Sequence, residues 1–313
     1  GAAVIGSCPL AAGRCDVTTA TLATGDHDLV ATYATDGNFA ASASATLTQT
    51  IVANGTTTTL TAIPSASSFG QTVRFRVAVA STTGVPTGTV SVSVDGSLLS
   101  GCTLAAGTCD VTTATLSVGS HDITASYAGT GNYLASDASA ISITVGRATT
   151  TTSIASSANP STVGATTTFT VTVDTTTGVP GGSAWVFVDG SNPVGSCTLS
   201  GVTATRASCT VATSSLAIGT RAVRAEYIGD TNYVGSVSAE ITQVIRATTT
   251  TTLDFSPASP VFGQSVTFVA TVATDTTTAT GTVTFTEGAT TLGSCTLVDG
   301  QCLWSTSTLT RAR

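Results

Sequence analysis

Eight cysteines are the residues whose type and spacing point most directly to chemistry. Each lies beside a partner across a short turn such as Thr-Leu-Ala-Ala-Gly-Thr, and two Cys facing each other across a hairpin are within disulfide reach. Zinc is the alternative, but it needs four converging ligands, whereas these pairs are far apart in the chain and lack adjacent His. The sequence therefore predicts four hairpin disulfides and an oxidising, extracellular compartment. The predicted pairs are Cys8/Cys15, Cys102/Cys109, Cys197/Cys209 and Cys295/Cys302.

The two histidines, His27 and His121, are the candidates for acid–base catalysis. Both occupy the same turn, in Gly-Asp-His-Asp and Gly-Ser-His-Asp, where a third copy of the segment has Arg221. Because this position changes type between copies, we interpret it as a solvated position before a strand and not as a general base. The sequence also lacks a nucleophile elbow, a zinc-hydrolase motif and a phosphate-binding loop. It predicts a protein that is not an enzyme.

Acidic residues are the candidates for a calcium site. They are sparse: Asp36 and Asp230, Asp95 and Asp189, and Asp26 with Asp28. Calcium takes six to eight oxygen ligands, usually from several carboxylates together. We therefore expect no metal and no other cofactor.

Composition excludes two classes of partner. The chain has 313 residues, no Lys, scattered Arg and a formal net charge of −7, and only 9% of its residues are charged. Nucleic-acid binding needs clustered cations to neutralise phosphates, so we expect no nucleic-acid partner. No stretch approaches the 18 apolar residues of a membrane helix, so we expect no membrane insertion. The chain begins with Gly and shows no signal-peptide pattern, which indicates mature or excerpted material.

The chain repeats itself with a period of about 95 residues. The block Val85–Ser136 recurs as Val179–Ser236, and Tyr33, Tyr127 and Tyr227 mark the same point in three copies. The additional residues of the third copy lie before Cys209, which indicates a surface loop on a constant scaffold. We predict a partial repeat at 1–52, complete repeats at 53–146 and 147–246, and a partial repeat at 247–313.

Within each repeat apolar and polar residues alternate with a period of two. Val73, Phe75, Val77 and Val79 alternate with polar or small residues, and the stretches 89–94 and 122–127 follow the same rule. Strict alternation indicates antiparallel strands with one buried face. About seven such strands per repeat, separated by Gly, Pro and Asn turns, predict an all-β fold of tandem immunoglobulin-like sandwiches.

These repeats resemble the tandem bacterial immunoglobulin-like (Big-type) repeats of secreted and cell-surface proteins. The resemblance covers nearly the whole chain. It lies in TTTTL at Thr56–Leu60, Phe69-Gly70-Gln71 and Phe262-Gly263-Gln264, GTV at Gly88–Val90 and Gly281–Val283, and the stretch from Tyr227 to Tyr233. The family serves as stalks, spacers and adhesive modules, and this chain departs from its usual pattern by carrying a Cys pair in every repeat.

One local feature of the third repeat suggests a contact surface. Aligning Pro86 with Pro180 puts Trp185 and Phe187 on the outward positions that Ser91 and Ser93 occupy in the second repeat. Adjacent outward aromatic residues suggest contact with a neighbouring chain or domain. The alternative is a register shift or bulge that turns both rings inward.

The leading functional hypothesis is a non-catalytic extracellular structural protein, a rod or fibre that serves as a stalk, adhesin shaft or filament. Its partners would be neighbouring repeats or copies of the same chain, head to tail. The half-repeats at the two ends fit either a window within a longer array or polymerisation in which one chain completes the next. The alternatives are an adhesive module that binds a carbohydrate or receptor, and accessory repeats of a larger secreted enzyme.

Overall fold

Every regular element of this computed structural model is a β-strand within the residues that it describes, 3–190 and 192–309. The prediction of an all-β fold is confirmed. The chain divides into two compact units, Gly1–Ala148 and Thr149–Arg313. The further division into four repeats stays a prediction.

The first unit contains thirteen strands among its described residues. They are β1 (Gly25–Leu29), β2 (Thr32–Tyr33), β3 (Ser42–Ala43), β4 (Leu47–Ile51), β5 (Thr56–Ile63), β6 (Ala66–Ser68), β7 (Val73–Ser81), β8 (Thr89–Val94), β9 (Ser97–Thr103), β10 (Thr108–Thr113), β11 (Gly119–Tyr127), β12 (Ser136–Asp137) and β13 (Ile141–Gly146).

Strands β5 to β13 form a two-layered sandwich, which is the second repeat. One sheet has the order β10-β7-β5, and the other has the order β6-β13-β11-β8-β9, with β12 beside β11. All pairs are antiparallel except β6 with β13. Alternation along β7 and β11 builds the core between the sheets, because inward residues of both strands are fully buried. The largest are Phe75, Ile123 and Tyr127.

The residues before β5 form smaller sheets. Strand β1 pairs antiparallel with β4, and Gly25 lies opposite Ile51 in the same way that Gly119 of β11 lies opposite Val145 of β13. Strand β2 pairs with β3. Strands β1 and β2 therefore correspond to β11, β3 corresponds to β12, and β4 corresponds to β13, as the repeat alignment predicts.

The second unit contains fifteen strands among its described residues. They are β14 (Thr150–Ser156), β15 (Ser161–Thr162), β16 (Thr167–Thr175), β17 (Ser183–Val188), β18 (Pro193–Thr198), β19 (Ser200–Thr203), β20 (Arg206–Thr213), β21 (Gly219–Gly229), β22 (Val234–Val237), β23 (Ile241–Arg246), β24 (Thr249–Ser256), β25 (Val266–Thr274), β26 (Thr282–Glu287), β27 (Thr290–Thr296) and β28 (Gln301–Thr306).

Strands β14 to β23 form the third repeat with the same sheet orders as the second. One sheet runs β14-β16-β20-β19, and the other runs β15-β23-β21-β17-β18 with β22 beside β21. The fully buried Phe169 and Tyr227 take the core positions of Phe75 and Tyr127. Part of the predicted surface insertion forms β19, an exposed strand that widens the first sheet by pairing with β20.

The last strands, β24 to β28, are counterparts of β5, β7, β8, β9 and β10. Phe268, Phe285 and Trp304 cluster on their inward side, with ring centroids 5.3–6.2 Å apart. Leu253 and Phe255 lie on β24 and are more than half exposed, whereas Leu60, the counterpart of Leu253, is buried in the second repeat. Among the described residues, nothing corresponding to β11 and β13 covers this face.

Candidate functional site

Each predicted cysteine pair is joined by a disulfide, and the described residues contain no free cysteine. The Cα atoms of the four pairs are 5.7–5.9 Å apart. The prediction that these bridges pin a hairpin is wrong for the second, third and fourth repeats. In the second repeat Cys102 lies on β9 beside Val90 of β8, while Cys109 lies on β10 beside Val77 of β7.

These three disulfides therefore join two different sheets at one open edge of the sandwich. The third repeat has the same arrangement, with Cys197 on β18 and Cys209 on β20, and so has the fourth, with Cys295 on β27 and Cys302 on β28. The physical reason is that the chain crosses from one sheet to the other between the two Cys. In the second and fourth repeats, two strands adjacent in sequence are thus adjacent across the edge and not within one ladder. In the third repeat β19 lies between β18 and β20 in sequence and pairs with the start of β20, before Cys209.

The disulfide of the first repeat, Cys8–Cys15, differs from the other three. Neither Cys8 nor Cys15 lies on a strand, and Cys15 is exposed, whereas Cys302 of the fourth repeat is buried. Within the part of the chain that the structure describes, no strand precedes Cys15, so this bridge has no counterpart of β7 beside it. This bridge spans a turn that Ala11 and Arg14 close by backbone hydrogen bonds of 2.9 and 3.1 Å.

The histidine position is structural, but the predicted solvated setting is wrong for His121. His121 lies within β11 on the inward row that includes Ile123 and Tyr127, and it is 8% exposed. Its imidazole contacts Asp95, which follows β8, and the backbone of Ser117. In the first repeat His27 Nε2 contacts the carbonyl oxygen of Ala23 at 2.6 Å.

Asp36 and Asp230, which lie in the loops that follow Tyr33 and Tyr227, accept hydrogen bonds from backbone N–H groups of those loops. Asp230 Oδ1 accepts the N–H groups of Asn232 and Tyr233 at 2.8 Å, and its Oδ2 accepts the N–H of Gly181 at 3.1 Å. Asp36 makes the equivalent bonds within its own loop, and these bonds together with the Tyr33 hydroxyl lower the pKa of the Asp36 carboxyl. Such carboxylates replace missing backbone acceptors at a turn.

No group of three or more His, Cys, Asp or Glu side chains in residues 3–190 and 192–309 is arranged to hold a metal ion. In the same residues, no helix is long and apolar enough to cross a membrane.

The predicted contact residues face outward from β17 of the third repeat. Ala184 and Val186 are fully buried, while Trp185 between them is 36% exposed and Phe187 is half-buried. A bulge does occur opposite β18, at Val186/Phe187, but it does not turn the rings inward. The structure therefore has the outward arrangement, and the role of these rings as a contact surface stays a prediction.

Two charged residues of β21 complete this surface. Trp185 lies opposite Glu226 and Phe187 lies opposite Arg224. The Arg224 guanidinium carbon is 4.4 Å from the centroid of the Phe187 ring, and Arg224 Nη1 donates to Glu226 Oε2 at 3.2 Å. The interaction between a guanidinium and the face of an aromatic ring is attractive, and it is stronger when both groups are partly desolvated. We name these four residues the third-repeat patch.

The third-repeat patch has no counterpart in the second repeat. The equivalent pairs there are Ser91 opposite Ser126 and Ser93 opposite Thr124. Sequence alignment identified the two aromatic residues, but it missed Arg224 and Glu226, because their place beside the rings depends on the pairing of β17 with β21. The signal available in the sequence was the replacement of two hydroxyl residues by an Arg and a Glu at alternate positions of the same strand.

Comparison with solved structures finds matches at low sequence identity. Fibronectin(III)-like modules of Clostridium thermocellum CbhA are 13% identical, with 69% of this chain and 93% of that chain covered and a TM-score of 0.24. The human OSCAR ligand-binding domain is 15% identical, with coverages of 61% and 99% and a TM-score of 0.23. An ICAM-5 D1–D4 ectodomain fragment is 12% identical, with coverages of 90% and 75% and a TM-score of 0.34.

No curated protein sequence matches this chain. The family model described as bacterial Ig-like domain (group 3) matches residues 60–146 and 154–246. The two matched segments correspond to the sandwiches β5–β13 and β14–β23, and together they span more than half of the chain. Domains of this kind are found in surface or extracellular proteins. The chain belongs to the bacterial Ig-like domain (group 3) family.

Proposed function

We propose that this chain is a non-catalytic segment of an extracellular stalk or fibre built from tandem Ig-like repeats. The observation that carries the proposal is the direct succession of sandwiches. Strand β13 ends at Gly146 and β14 begins at Thr150, so only residues 147–149 separate the last strand of one repeat from the first strand of the next. A linker this short has little freedom compared with the Gly/Ser-rich spacers of flexible domain arrays.

The disulfides support an extracellular location. Bridges form and persist in oxidising compartments and are rare in the cytosol. Bridging the two sheets of a repeat at their open edge would suit a segment that bears load or meets proteases, since opening of the sandwich at that edge requires the bond to break. The partners in such an array are neighbouring repeats, and strands with the pattern of β11 and β13 would cover the exposed Leu253 and Phe255.

A small-angle scattering experiment tests the stalk proposal. The native chain is compared with a variant that carries a Gly-Ser insertion of about ten residues after Arg147, which leaves every strand intact. If the native junction is stiff, the native chain should have a well-defined maximum dimension. The variant should show a broad distribution of dimensions and a Kratky profile typical of flexibly linked domains. Identical flexibility in both proteins would contradict a stalk role.

An adhesive role is the second candidate, and the third-repeat patch favours it. Trp and Arg are enriched at the energetic centres of protein interfaces, and an exposed Trp beside an Arg–Glu ion pair offers an apolar contact with adjacent polar partners. Because Arg224 and Glu226 carry opposite charges on one strand, the patch is complementary to a second copy of itself.

The double variant Trp185→Ser/Phe187→Ser, which copies Ser91 and Ser93, tests this role. We expect weak, concentration-dependent self-association of the native chain in sedimentation velocity, and its loss in the variant. The third repeat should stay folded with a loss of about 1–2 kcal/mol in stability, because both rings are partly buried and Phe187 contacts the Arg224 guanidinium. A Thr89→Ser variant of the second repeat serves as a control. Native chain that stays monomeric at millimolar concentration would remove self-association as the function of the patch.

A further inference from the structure

His121 is held between two hydrogen-bond acceptors. Its Nδ1 atom is 2.7 Å from Asp95 Oδ2, and its Nε2 atom is 2.9 Å from the carbonyl oxygen of Ser117. A carboxylate and a carbonyl oxygen accept hydrogen bonds and donate none. Both contacts are satisfied at once only when both ring nitrogens carry a proton, which is the imidazolium cation. The Ser117 hydroxyl lies 3.3 Å from Nε2 and can donate to it, so the neutral ring would replace the bond to the carbonyl oxygen by this longer one. The two shorter contacts of the pocket therefore favour the cation.

The third repeat places a permanent cation at the same point. Arg221 Nη1 donates to Asp189 Oδ2 at 3.0 Å, and its Nε donates to the carbonyl oxygen of Ala217 at 2.9 Å. In both repeats the other carboxylate oxygen accepts a backbone N–H of the same strand at 2.9 Å, that of Asp122 in one and that of Ala222 in the other. The two sites thus differ in whether the cation can lose its proton near neutral pH.

We propose that His121, Asp95 and Ser117 form a pH-dependent clamp that fastens the β8–β9 turn and the segment before β11 to the second repeat, and that this clamp weakens as the pH rises. Arg221 and Asp189 form the pH-independent version in the third repeat. The array would then contain two nearly identical modules, one of which responds to pH and one of which does not.

A sharp turn positions the carboxylate of the clamp. Asp95 and Gly96 connect β8 to β9 with positive φ angles of 50° and 79°, as in the two-residue hairpin turns that favour Asp-Gly. This conformation directs the Asp95 carboxylate back over the start of β11. The third repeat uses Asp189 and Gly190 at the same place, again with positive φ.

Asp95 is the charged group that faces the imidazole. Neither β8 nor β13 contains a titratable residue, and the cross-strand neighbour on β13 is Ile143. Strand β5 contains none either, while β7 contains Arg74, which pairs with Asp110 of β10, and the exposed Arg76. Asp122 is adjacent on β11, but its side chain is on the exposed face.

The sign of the pH dependence follows from the contacts. The hydrogen bond to Asp95, and then that to the Ser117 backbone, raises the pKa of His121 above its ordinary value of 6.5, although burial opposes the shift. A raised folded-state pKa means that the clamp contributes fully below pH 6.5 and that its contribution is lost as the pH rises through the folded-state pKa. The hydrogen bond from His121 lowers the pKa of Asp95 below its ordinary 3.8, so the clamp is also lost in strong acid.

Proton NMR of the full chain tests the ionisation directly, because His121 and His27 are the only two histidines in the sequence. A His27→Gln variant assigns the two ring signals. We expect His121 to titrate above 6.5, and Asp95→Asn to lower its pKa. A His121 signal that titrates below that ordinary value would overturn the proposal.

Hydrogen exchange measured by mass spectrometry tests the consequence for the fold. After correction for intrinsic exchange chemistry, protection of β11 and β13 should fall about threefold to tenfold between about pH 6 and about pH 9, which is the range expected for the loss of one hydrogen bond. Protection of β21 and β23 should stay constant. The variant His121→Arg, which copies Arg221, should abolish the pH dependence while it preserves the fold. Equal pH responses in the two repeats, or a dependence that persists in His121→Arg, would refute the clamp.

Discussion

Replacing Phe75 with alanine is expected to destabilise the second repeat by about 3–5 kcal/mol. The Phe75 ring is fully buried, and it projects from β7 between the two sheets into a cluster that includes Val92, Ile123 and Tyr127. Truncation removes the apolar surface of the ring from the core and leaves a cavity that packed neighbours fill only in part. A repeat of about 95 residues has a total stability of about 5–14 kcal/mol, so the loss is a large fraction of it.

The variant Phe169→Ala provides the matched test in the third repeat. Phe169 is also fully buried and lies on β16, the counterpart of β7. The only two Trp residues, Trp185 and Trp304, are in the second unit, so fluorescence reports unfolding there. Phe169→Ala should lower the denaturant midpoint of the fluorescence transition, whereas Phe75→Ala should leave it unchanged and instead raise hydrogen exchange in β7 and β11.

The variant Arg76→Ala serves as the control for the core substitutions. Arg76 is on the same strand as Phe75 but is exposed, and we expect a change within about 0.5 kcal/mol. If Phe75→Ala and Arg76→Ala had similar effects, the assignment of the inward face of β7 would be wrong. If Phe75→Ala also shifted the fluorescence transition, the two repeats would not unfold independently.

The core could be predicted from sequence because alternation is a local property. Val73, Phe75, Val77 and Val79 all lie on the predicted inward face of β7 and are all buried. The same rule placed Ala184 and Val186 inward and therefore Trp185 and Phe187 outward. A strand with one apolar face has only one arrangement that buries it, so these positions do not depend on which other strands are its neighbours.

The parts that could not be predicted all depend on strand pairing between distant segments. His121 is buried because Asp95, 26 residues earlier, supplies a charged partner at the neighbouring turn. Without that partner, burial of an imidazole next to Ile143 and Ile123 would be unfavourable, which is why the solvated interpretation was reasonable from the sequence. The pairing of Arg224 with Phe187 likewise follows from the register of β17 on β21.

The geometry of the disulfides was missed for a related reason. The spacing of Cys102 and Cys109 fits a hairpin equally well as a crossing from one sheet to the other, because both bring the Cα atoms to within about 6 Å. Only the pairing of β9 with β8 and of β10 with β7 distinguishes the two cases. The Cys8–Cys15 bridge has the same spacing but neither of these ladders beside it, which is why spacing alone could not separate it from the other three. The distinction matters for stability. A bridge between two strands of one ladder joins segments that hydrogen bonds already hold together, whereas a bridge between two sheets joins strands that no backbone hydrogen bonds connect.

Removal of the Cys102–Cys109 bridge in the double variant Cys102→Ala/Cys109→Ala is expected to destabilise the second repeat by about 2–3 kcal/mol. The chain-entropy argument gives this magnitude for a short closed loop, because the crosslink restricts the unfolded chain. Since β9 and β10 are edge strands of opposite sheets and are not paired with each other, loss of the bridge should also loosen that edge in the native state. Hydrogen exchange should therefore increase first in β9 and β10, and less in the central strands β7 and β11.

Chemical reduction of the native chain opens the bridges without changing the sequence. It therefore separates the effects of opening the bridge, which are lower stability and a looser edge, from the effect of removing the sulfur atoms. We expect reduced native chain and the double variant to show the same increase in exchange in β9 and β10, and the third repeat to respond only to reduction. A double variant with unchanged stability would show that the ladders β9/β8 and β10/β7 hold the edge without the bridge. Increased exchange confined to the Ala105–Thr108 turn would contradict an inter-sheet role, because a bridge that merely closes a hairpin would constrain that turn alone.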